Sequence, residues 1–450
     1  MRLPQAIAAS SLAAVAIAAP QDRDAQIAFK PSHTQPANAI ETGVGHFSEW
    51  SRDMKKDFLI DWQEGRVSEW IIVQGNEGGD LDSMAAALSW AYHIVHSTMN
   101  TSHPQKAIAL LQTPTDALDL RPENKIALDN AKMSSGHSDL LTTDEIPEDP
   151  ETLAGRIKGI VIVDHAKPLR KWDDAPILSI FDHHVDSGAG KDAKPRIFEK
   201  VASCTTLVAR QMLDEWEAAP EQYHLPHELL ELMLSAIAID SGGLKDATEA
   251  DRTVSERVLK LSRWKHRDLD DCMKDVDDEL SDAKKDLDRL SVRDLLRRDW
   301  KGDFVDTPSP RTPTVNLGFS SIPYSLDEMI EKTEFHALFN WFAIEAAWTA
   351  QLGTDISVAL TKYKIKDKHG KKVKIREIIL VVRCDVRINE PQADNLFDTV
   401  VKAVEAHPDL EAKPWHRADE LGKRQMVWTH SGGGRKMIRP IIEKAVEGWK

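Results

Sequence analysis

The chain has 450 residues, a formal net charge of −15, 41% apolar residues and 6% aromatic residues. This length is too great for one ordinary hydrophobic core, so we expect two domains of a soluble α/β protein. The negative charge disfavours a general nucleic-acid-binding protein, because such proteins usually present a net basic surface.

The N-terminus resembles a secretory signal peptide over residues 1–19. Arg2 precedes an apolar, alanine-rich stretch, and Ala16-Ile17-Ala18 resembles a cleavage site. Residues 20–45 are polar, which predicts a disordered leader. Asn100-Thr101-Ser102 is a glycosylation sequon and adds weak support for secretion. No apolar run elsewhere reaches the roughly 18 residues of a membrane span.

The three cysteines, Cys204, Cys272 and Cys384, form no CxxC pair. This pattern supports neither a thiolate zinc site nor a disulfide framework, and it favours a reducing compartment over secretion. We expect all three side chains to be buried as small apolar groups.

From about residue 68, short apolar runs alternate with aspartate-bearing turns and helical patterns. Such runs are typical of strands buried on both faces of a parallel sheet, and the alternation predicts a βαβ domain over residues 46–253. The predicted strands are Trp70–Val73, Ile160–Val163, Ile177–Phe181 and Leu234–Ile239, and the predicted helices include Met84–Val95 and Thr205–Trp216.

A smaller α/β domain is predicted over residues 311–450. Residues 254–310 begin with a charged segment that has leucines at helical spacing, which we interpret as a mostly solvated helical connector ending in a proline-rich loop. The expected elements beyond it are a strand at Thr314–Phe319, helices around 326–350, and a hairpin of Ile356–Ile365 and Val373–Val382 with its turn near 368–370.

Aspartates follow each of the four predicted strands, and two histidines follow the aspartate after the third strand. They are Asp80, Asp82, Asp164, Asp182, His183, His184 and Asp240. The carboxyl ends of parallel strands share one edge of a sheet, where ligands bind. Carboxylates gathered there would repel one another unless cations bound, and carboxylate with imidazole suits Mn²⁺ or Mg²⁺. For any single aspartate, capping a helix is the alternative.

The motifs that contain these acids resemble the DHH phosphoesterase family. FDHH at 181–184 is similar to the family signature, and GNEGGDLDS (75–83), IVIVDHAKP (160–168), ASCTTLV (202–208) and AIAIDSGGLK (236–245) follow in the family's order. The chain is similar to the eukaryotic exopolyphosphatases, which are related to family II inorganic pyrophosphatases and prune-type phosphodiesterases. The resemblance implies an N-terminal DHH domain, a C-terminal DHHA2 domain, and an active site in the cleft between them.

The resemblance also implies roles for the individual acids and histidines. Two divalent cations, Mg²⁺ or Mn²⁺, would be bound, one by Asp80 and Asp164 and the other by Asp82, Asp164, His183 and Asp240. Asp182 would orient the histidines or complete the metal shell. His184 would contact phosphate or the leaving group, so Asp182 and His184 are the expected catalytic residues.

Asn76 departs from the pattern of the family's pyrophosphatases, which carry a histidine four residues before the first acid of the D-x-D pair. Exopolyphosphatases are similar to this chain in having asparagine there. We interpret Asn76 as a substrate-binding residue, and its presence disfavours a dedicated pyrophosphatase. Loss of the imidazole should weaken the first metal site and favour Mg²⁺.

The C-terminal domain resembles DHHA2 through GFSSIPYSL (318–326) and SGGGRKMIRP (431–440). The resemblance implies that Arg435 and Lys436 bind substrate, which suits the affinity of both side chains for phosphate. The alternative is a flexible glycine turn before an ordinary helix. Lys245 and Arg121 are lesser candidates, and an ion pair with Glu123 is the alternative role for Arg121.

Eight of the 15 residues from Lys362 to Arg376 are basic. A solvated β-ribbon is the default interpretation, because lysines protect exposed strand edges. The functional alternative is a cationic track for a polyphosphate chain, which would supply the positive charge that the acidic composition lacks.

The resemblance therefore implies an exopolyphosphatase, which releases orthophosphate by hydrolysing terminal phosphoanhydride bonds of inorganic polyphosphate. The alternatives are a pyrophosphatase, a prune-like nucleotide phosphodiesterase, a DHH nuclease, and a polyphosphate-binding protein without activity. Nucleic acid is not expected as the primary ligand, and no membrane partner is expected. The family resemblance implies a cytoplasmic location, with secretion as the alternative.

Overall fold

The computed structural model describes residues 45–219, 223–366 and 370–450. The predicted signal peptide, nearly all of the predicted leader, and most of the hairpin turn lie outside the described residues. The helices are α1 His46–Gln63, α2 Leu81–Thr98, α3 Pro122–Asn130, α4 Pro150–Ala154, α5 Cys204–Ala218, α6 His227–Ser241, α7 Glu249–Leu261, α8 Leu269–Ala283, α9 Val292–Arg298, α10 Leu326–Glu331, α11 Leu338–Gln351, α12 Glu390–Glu405 and α13 Arg435–Glu447. The strands are β1 Trp70–Gln74, β2 Lys106–Leu111, β3 Leu141–Thr142, β4 Gly159–Val163, β5 Ile177–Asp182, β6 Arg196–Phe198, β7 Trp300–Asp306, β8 Thr314–Ile322, β9 Ile356–Lys366, β10 Lys372–Val382, β11 Lys413–Pro414 and β12 Gln425–His430.

The first sheet is parallel throughout and has the order β3-β2-β1-β4-β5-β6. Alternate residues of each central strand enter the cores on the two faces: Ile71 and Val73 pack with α2, α5 and α6, whereas Trp70 and Ile72 pack with α1 and α4. Burial on both faces explains why these strands are apolar along their whole length. The predicted strands β1, β4 and β5 and the predicted helices α2 and α5 are confirmed.

The fourth predicted strand, Leu234–Ile239, is wrong. This run lies inside helix α6, which is followed by Gly242 in the left-handed conformation at φ 59°. Leucine, methionine and alanine are good helix formers, and a helix buried on nearly all sides shows the same unbroken apolar run as a buried strand. Asp240 therefore lies in the last turn of a helix and not at the end of a strand.

The expectation of a mostly solvated connector is also wrong. Val258 of α7 and Met273 of α8 are buried in the core of the first sheet. Leu295 of α9 is buried in a second core together with Trp341 of α11. The charged residues of this segment occupy the outer faces of amphipathic helices whose inner faces pack against both halves of the molecule.

The second sheet has the order β11-β12-β10-β9-β8-β7, and its strands pair antiparallel except for β8 with β9. Helices α12 and α13 cover one face, and α9, α10 and α11 cover the other. The predicted loop Thr307–Pro313 connects β7 to β8, so this sheet begins before residue 311. A side chain at Gly318 would overlap Trp300, since an added Cβ would lie 1.9 Å from the indole ring.

Cys204 and Cys272 are buried as expected, but Cys384 is exposed, so that part of the prediction is wrong. Cys384 lies in the surface loop after β10, where Arg424 Nη2 donates a hydrogen bond to its sulfur at 3.3 Å. Among the described residues, no helix is both long enough and apolar enough to cross a membrane.

Candidate active site

The loop after β1 delivers the first acid to the carboxyl edge of the sheet. Asp80 is the N-cap of α2, and one of its oxygens accepts a hydrogen bond from Ser83 N at 3.1 Å. Burial raises the pKa of Asp80, but the positive charges of Lys301 and Arg121 outweigh it and hold this pKa below its usual range. Asp80 is therefore both a helix cap and an ionised group at the site.

Asp82 is buried and caps a helix other than its own. Its carboxylate accepts hydrogen bonds from Ser203 Oγ at 2.5 Å, from Cys204 N at 2.7 Å, and from both N and Oγ1 of Thr205 at 2.7 Å. These donors form the start of α5, which explains the place of the ASCTTLV motif beside the acids. Burial and the negative charge of Asp164 raise the pKa of Asp82 to about 6.

Asp164 lies at the end of β4 with a left-handed backbone, at φ 60°. Its Oδ2 accepts hydrogen bonds from Asn76 Nδ2 and Ser83 Oγ, both at 2.6 Å. Its Oδ1 lies 3.3 Å from His183 Nε2. A left-handed residue other than glycine costs about 1–2 kcal/mol, so the surrounding contacts must hold this carboxylate in place.

The histidine pair follows β5 and is oriented by the backbone and by Asp182. His183 Nδ1 donates to the carbonyl oxygen of Val201 at 3.1 Å, which leaves Nε2 facing Asp164. His184 Nδ1 donates to Asp182 Oδ1 at 2.8 Å. Burial lowers the pKa of His183, but the hydrogen bond to Asp164 and the charge of Asp82 raise it to about 9.

These side chains fit a divalent cation on three grounds. One ligand atom each from Asp164, His183 and His184 lies within 4.8 Å of the others. Asp182 Oδ2 is buried and has no hydrogen-bond partner in the structure. The mutual repulsion that raises the pKa of Asp82 would be relieved by a positive charge between the carboxylates.

Asp240 lies in the last turn of α6. Burial and the negative charges of Asp82 and Asp80 raise the pKa of Asp240 well above its usual value, while the charge of Lys284 opposes them. The negative charges of the acid cluster therefore act on Asp240, although it comes from a helix.

Asn76 is buried between two of the acids. Its Nδ2 donates to Asp164 Oδ2 at 2.6 Å and lies 3.3 Å from Asp80 Oδ2, while its Oδ1 accepts from Gly78 N at 2.8 Å. Because protein partners occupy the whole amide, this geometry gives no support to the predicted contact of Asn76 with substrate.

A cavity of about 630 Å³ lies between the C-terminal sheet and the segment around α8 and α9, and its lining residue Asp299 approaches the loop that carries Asp80. Its lining is rich in cationic side chains: Lys284, Lys285, Arg298, Lys362, Arg376 and Arg435. Asp299 is the one acid among the described lining residues, and His430 also contributes. The proximity of Lys284 to Asp240 links this cavity to the acids.

Of the predicted substrate-binding pair Arg435 and Lys436, only Arg435 lines the cavity. Arg435 lines the cavity, where its Nη1 donates to the main-chain oxygen of Asp299 at 3.0 Å and its Nη2 donates to Asp299 Oδ1 at 3.1 Å. Lys436 is exposed and is not among the lining residues. An added Cβ at Gly434 would lie 3.1 Å from Arg376 Nη1, so the glycine allows this guanidinium to approach the loop.

The two lesser candidates have different surroundings. Lys245 is exposed, and its charge acts on Asp278 of α8, so the structure does not place it at the acids. Arg121 is buried: its Nε donates to the Gly78 carbonyl at 2.9 Å, and its Nη1 lies 3.4 Å from Glu123. The structure therefore contains the ion pair with Glu123 that was the alternative role for Arg121.

Sequence reasoning missed Asp299, Lys301, Arg376 and His430 as members of this site. Lys301 lies over the acid-bearing loop, since its Cε would be 2.6 Å from a Cβ added at Gly78. Asp299 and Lys301 fall in the segment interpreted as a connector, where charged residues are ordinary. Arg376 was one of many basic residues in the hairpin, and no signal in the sequence separated it from the others.

Comparisons with known proteins identify the two halves of the molecule. The model of the DHH family, N-terminal domain, matches residues 70–237, and the model of the DHHA2 domain matches residues 278–445. A Schizosaccharomyces pombe protein named "Putative exopolyphosphatase" is 30% identical over 90% of this chain and 98% of its own length. Exopolyphosphatase PRUNE1 of Rattus norvegicus is 29% identical over 55% of this chain and 52% of its own length.

A third relative comes from Lactobacillus delbrueckii subsp. bulgaricus and is named "Probable manganese-dependent inorganic pyrophosphatase". It is 23% identical over 55% of this chain and 70% of its own length. The match to the Schizosaccharomyces pombe protein spans both domains, and the two domain models fall on the two sheets. The chain therefore belongs to the DHH family and carries its N-terminal DHH domain together with a DHHA2 domain.

Proposed function

We propose that this chain is an exopolyphosphatase, which uses divalent cations to hydrolyse the terminal phosphoanhydride bond of inorganic polyphosphate and releases orthophosphate. The observation that carries the proposal is the adjacency of the acid and imidazole cluster to a cation-lined cavity of about 630 Å³. A chain of phosphates could place its end at the acids and its next units in the cavity. The names of the relatives from Schizosaccharomyces pombe and Rattus norvegicus support this substrate class.

The proposed cofactors are two divalent cations, Mn²⁺ or Mg²⁺. Asp80 and Asp164 would hold one, and the other would be held by Asp82, Asp164, His183 and Asp240. When bound, the ions would neutralise charge on the phosphoryl oxygens and make water nucleophilic at neutral pH. The manganese-dependent name of the Lactobacillus relative supports divalent metal use.

The protein groups around the proposed ions are oriented for distinct tasks. The bond from His183 Nδ1 to Val201 leaves Nε2 as a ligand atom, which is the usual arrangement for metal-binding histidines. The bond from His184 Nδ1 to Asp182 similarly leaves Nε2 of His184 available for a phosphate or leaving-group oxygen. Asp182 is thus the positioning residue for His184.

Phosphate binding is assigned to the cavity cations. Arg435 would contact the phosphates nearest the acids, and Lys284, Lys362 and Arg376 would contact those farther along the chain. Burial and the positive charges of Lys374 and Arg376 lower the pKa of Lys362. This crowding of cations supports a cationic track over a merely solvated ribbon for the inner end of the hairpin.

The test is phosphate release by the purified chain from long polyphosphate, tripolyphosphate and diphosphate, with Mg²⁺, Mn²⁺ or a chelator. We expect metal-dependent release that is faster from the longer chains. Preference for diphosphate would favour a pyrophosphatase, and turnover confined to cyclic nucleotides or short oligonucleotides would favour a phosphodiesterase or nuclease. Either of these results, or absence of turnover, would overturn the proposal.

We also propose a cytoplasmic location, which the unpaired cysteines support. The measurement is N-terminal sequencing of the natural protein. Removal of residues 1–19 would instead support secretion.

A further inference from the structure

Asp299 is an anion held between arginines from two other segments of the chain. Its Oδ1 lies 3.1 Å from Arg435 Nη2, at the start of α13, and 3.2 Å from Arg121 Nη2, in the loop before α3. Burial raises the pKa of Asp299, but the charges of Arg435, Arg121 and Lys301 together lower it below its usual value. Asp299 is therefore charged at any ordinary working pH.

This carboxylate lies at the boundary between the acid cluster and the cation-lined cavity. An added Cβ at Gly78, in the loop that carries Asp80, would lie 3.0 Å from Asp299 Oδ1. Asp299 and Arg435 both line the cavity, and the side chain of each is 20% exposed. A solute in the cavity can therefore reach this ion pair, and any phosphate that contacts both Arg435 and the acids must come close to Asp299.

We infer that Asp299 is a specificity-determining residue, an internal competitor for the phosphate-binding Arg435 that favours long phosphate chains over short ones. This inference rests on the proposed function. A phosphate oxygen that bonds to Arg435 must displace the Asp299 carboxylate or remain beside its negative charge, and partly exposed ion pairs hold their partners weakly enough to be displaced. The chain needs further favourable contacts to offset this repulsion.

Those further contacts are available only to a longer ligand. Lys284, Lys362 and Arg376 line the same cavity, and no ion pair involving them is present among the described residues. A chain of three or more phosphates can reach Arg435 and these cations together, whereas orthophosphate cannot. Asp299 should therefore reject the product more strongly than it rejects the substrate.

A purely structural role is the competing explanation, since the Asp299–Arg435 contact also joins α9 to α13. A control ion pair exists at the same end of α9. Asp116 accepts hydrogen bonds from Arg297 of α9 at 2.6 and 2.9 Å, and neither residue is among those lining the cavity. Loss of Asp116 removes the ion pair with Arg297 of α9, and loss of Asp299 removes the ion pairs with Arg435 and Arg121 at the end of α9, but only loss of Asp299 removes a negative charge from the cavity.

The experiment is calorimetric titration of the full chain with inorganic tripolyphosphate and with orthophosphate, in chelator so that no hydrolysis occurs. We expect Asp299→Asn to bind tripolyphosphate about tenfold tighter than the wild type and to bind orthophosphate with a still larger relative gain. Asp299→Glu, which keeps the charge, and Asp116→Asn should both bind as the wild type does. Unchanged or weaker tripolyphosphate binding by Asp299→Asn, an equal gain in Asp116→Asn, or no measurable binding by any variant would overturn the inference.

A measurement on the wild type covers the case in which Asp299→Asn does not fold. In crystals grown with tripolyphosphate, a phosphate oxygen should bond to Arg435 and either displace the Asp299 carboxylate or lie directly beside it, and a bound chain that makes no contact with Arg435 would overturn the inference. These binding results are separate from turnover. If the wild type releases no phosphate from polyphosphate, the proposed function fails, while the competition for Arg435 is still decided by titration and crystallography.

Discussion

The amide of Asn76 donates a hydrogen bond to Asp164 Oδ2 at 2.6 Å, and the same Nδ2 lies 3.3 Å from Asp80 Oδ2. These two carboxylates are the ones proposed to hold the first cation. An amide N–H is a donor and cannot ligate a metal. In this chain, the amide of Asn76 therefore bonds to oxygens of the two proposed metal ligands and adds no ligand of its own.

The first prediction concerns the substitution Asn76→His. An imidazole at this position would supply a nitrogen ligand, so we expect Mn²⁺ to bind about tenfold tighter or more. Calorimetric titration with Mn²⁺ measures the change. The control is Asn395→His at an exposed position, which should leave affinity unchanged. Equal Mn²⁺ affinity for wild type and Asn76→His would contradict the assignment of the first site.

The second prediction concerns the proposed bridging acid and its imidazole neighbour. Asp164→Ala and His183→Ala should each lower phosphate release by about 10³-fold or more, since each removes a proposed ligand. Circular dichroism should show an intact fold. His103→Ala, on the exposed loop before β2, is the control and should retain full turnover. Wild-type turnover in purified Asp164→Ala protein would refute the metal assignment.

The third prediction separates the inner and outer parts of the basic hairpin. Arg376→Ala should raise the KM for long polyphosphate about tenfold with little change in kcat, because it removes a cavity cation that is not one of the proposed metal ligands. Lys372→Ala removes an exposed cation of the same hairpin that is not among the cavity-lining residues. Steady-state kinetics at constant ionic strength measure KM and kcat for both variants. An equal rise in KM for both variants would mean that general charge, and not the cavity, attracts the substrate.

The fourth prediction concerns pH and His430, which is buried and has an Nδ1 without a hydrogen-bond partner. Burial and the charge of the facing Arg376 lower the pKa of His430 to about 4. The unfolded chain takes up this proton near the ordinary value of about 6.5, so folding is disfavoured as the pH falls from about 6.5 towards 4. Between pH 7 and pH 5 this single group should lower the free energy of unfolding by about 2 kcal/mol.

Urea unfolding of the wild type and of His430→Gln at both pH values isolates this contribution. The variant lacks the titrating group, so its stability should fall by about 2 kcal/mol less than that of the wild type over this interval. Identical losses in the two proteins would show that His430 titrates normally in the folded state.

Much of the fold was predictable because the local pattern and the tertiary environment agree. Strands β1, β4 and β5 are short apolar runs, and burial on both faces of a parallel sheet demands that pattern. Leu234–Ile239 shows the limit of this reasoning, since a helix enclosed by α2, α7 and α8 loses the polar stripe that would reveal its period. Complete burial therefore gives a strand and a helix the same unbroken apolar run.

By itself, the sequence determined that Asp80, Asp82, Asp164, His183 and His184 lie at the carboxyl edge of the first sheet, because they follow its strands and carry the DHH motifs, whereas Asp240 was expected after a strand and lies in helix α6. Only the tertiary structure decided what each of them contacts. Asp82 caps α5 across 121 to 123 residues of chain, and Asp299 meets Arg435 across 136 residues. Side chains so far apart in sequence share no local pattern, and their pairing depends on how the two domains pack.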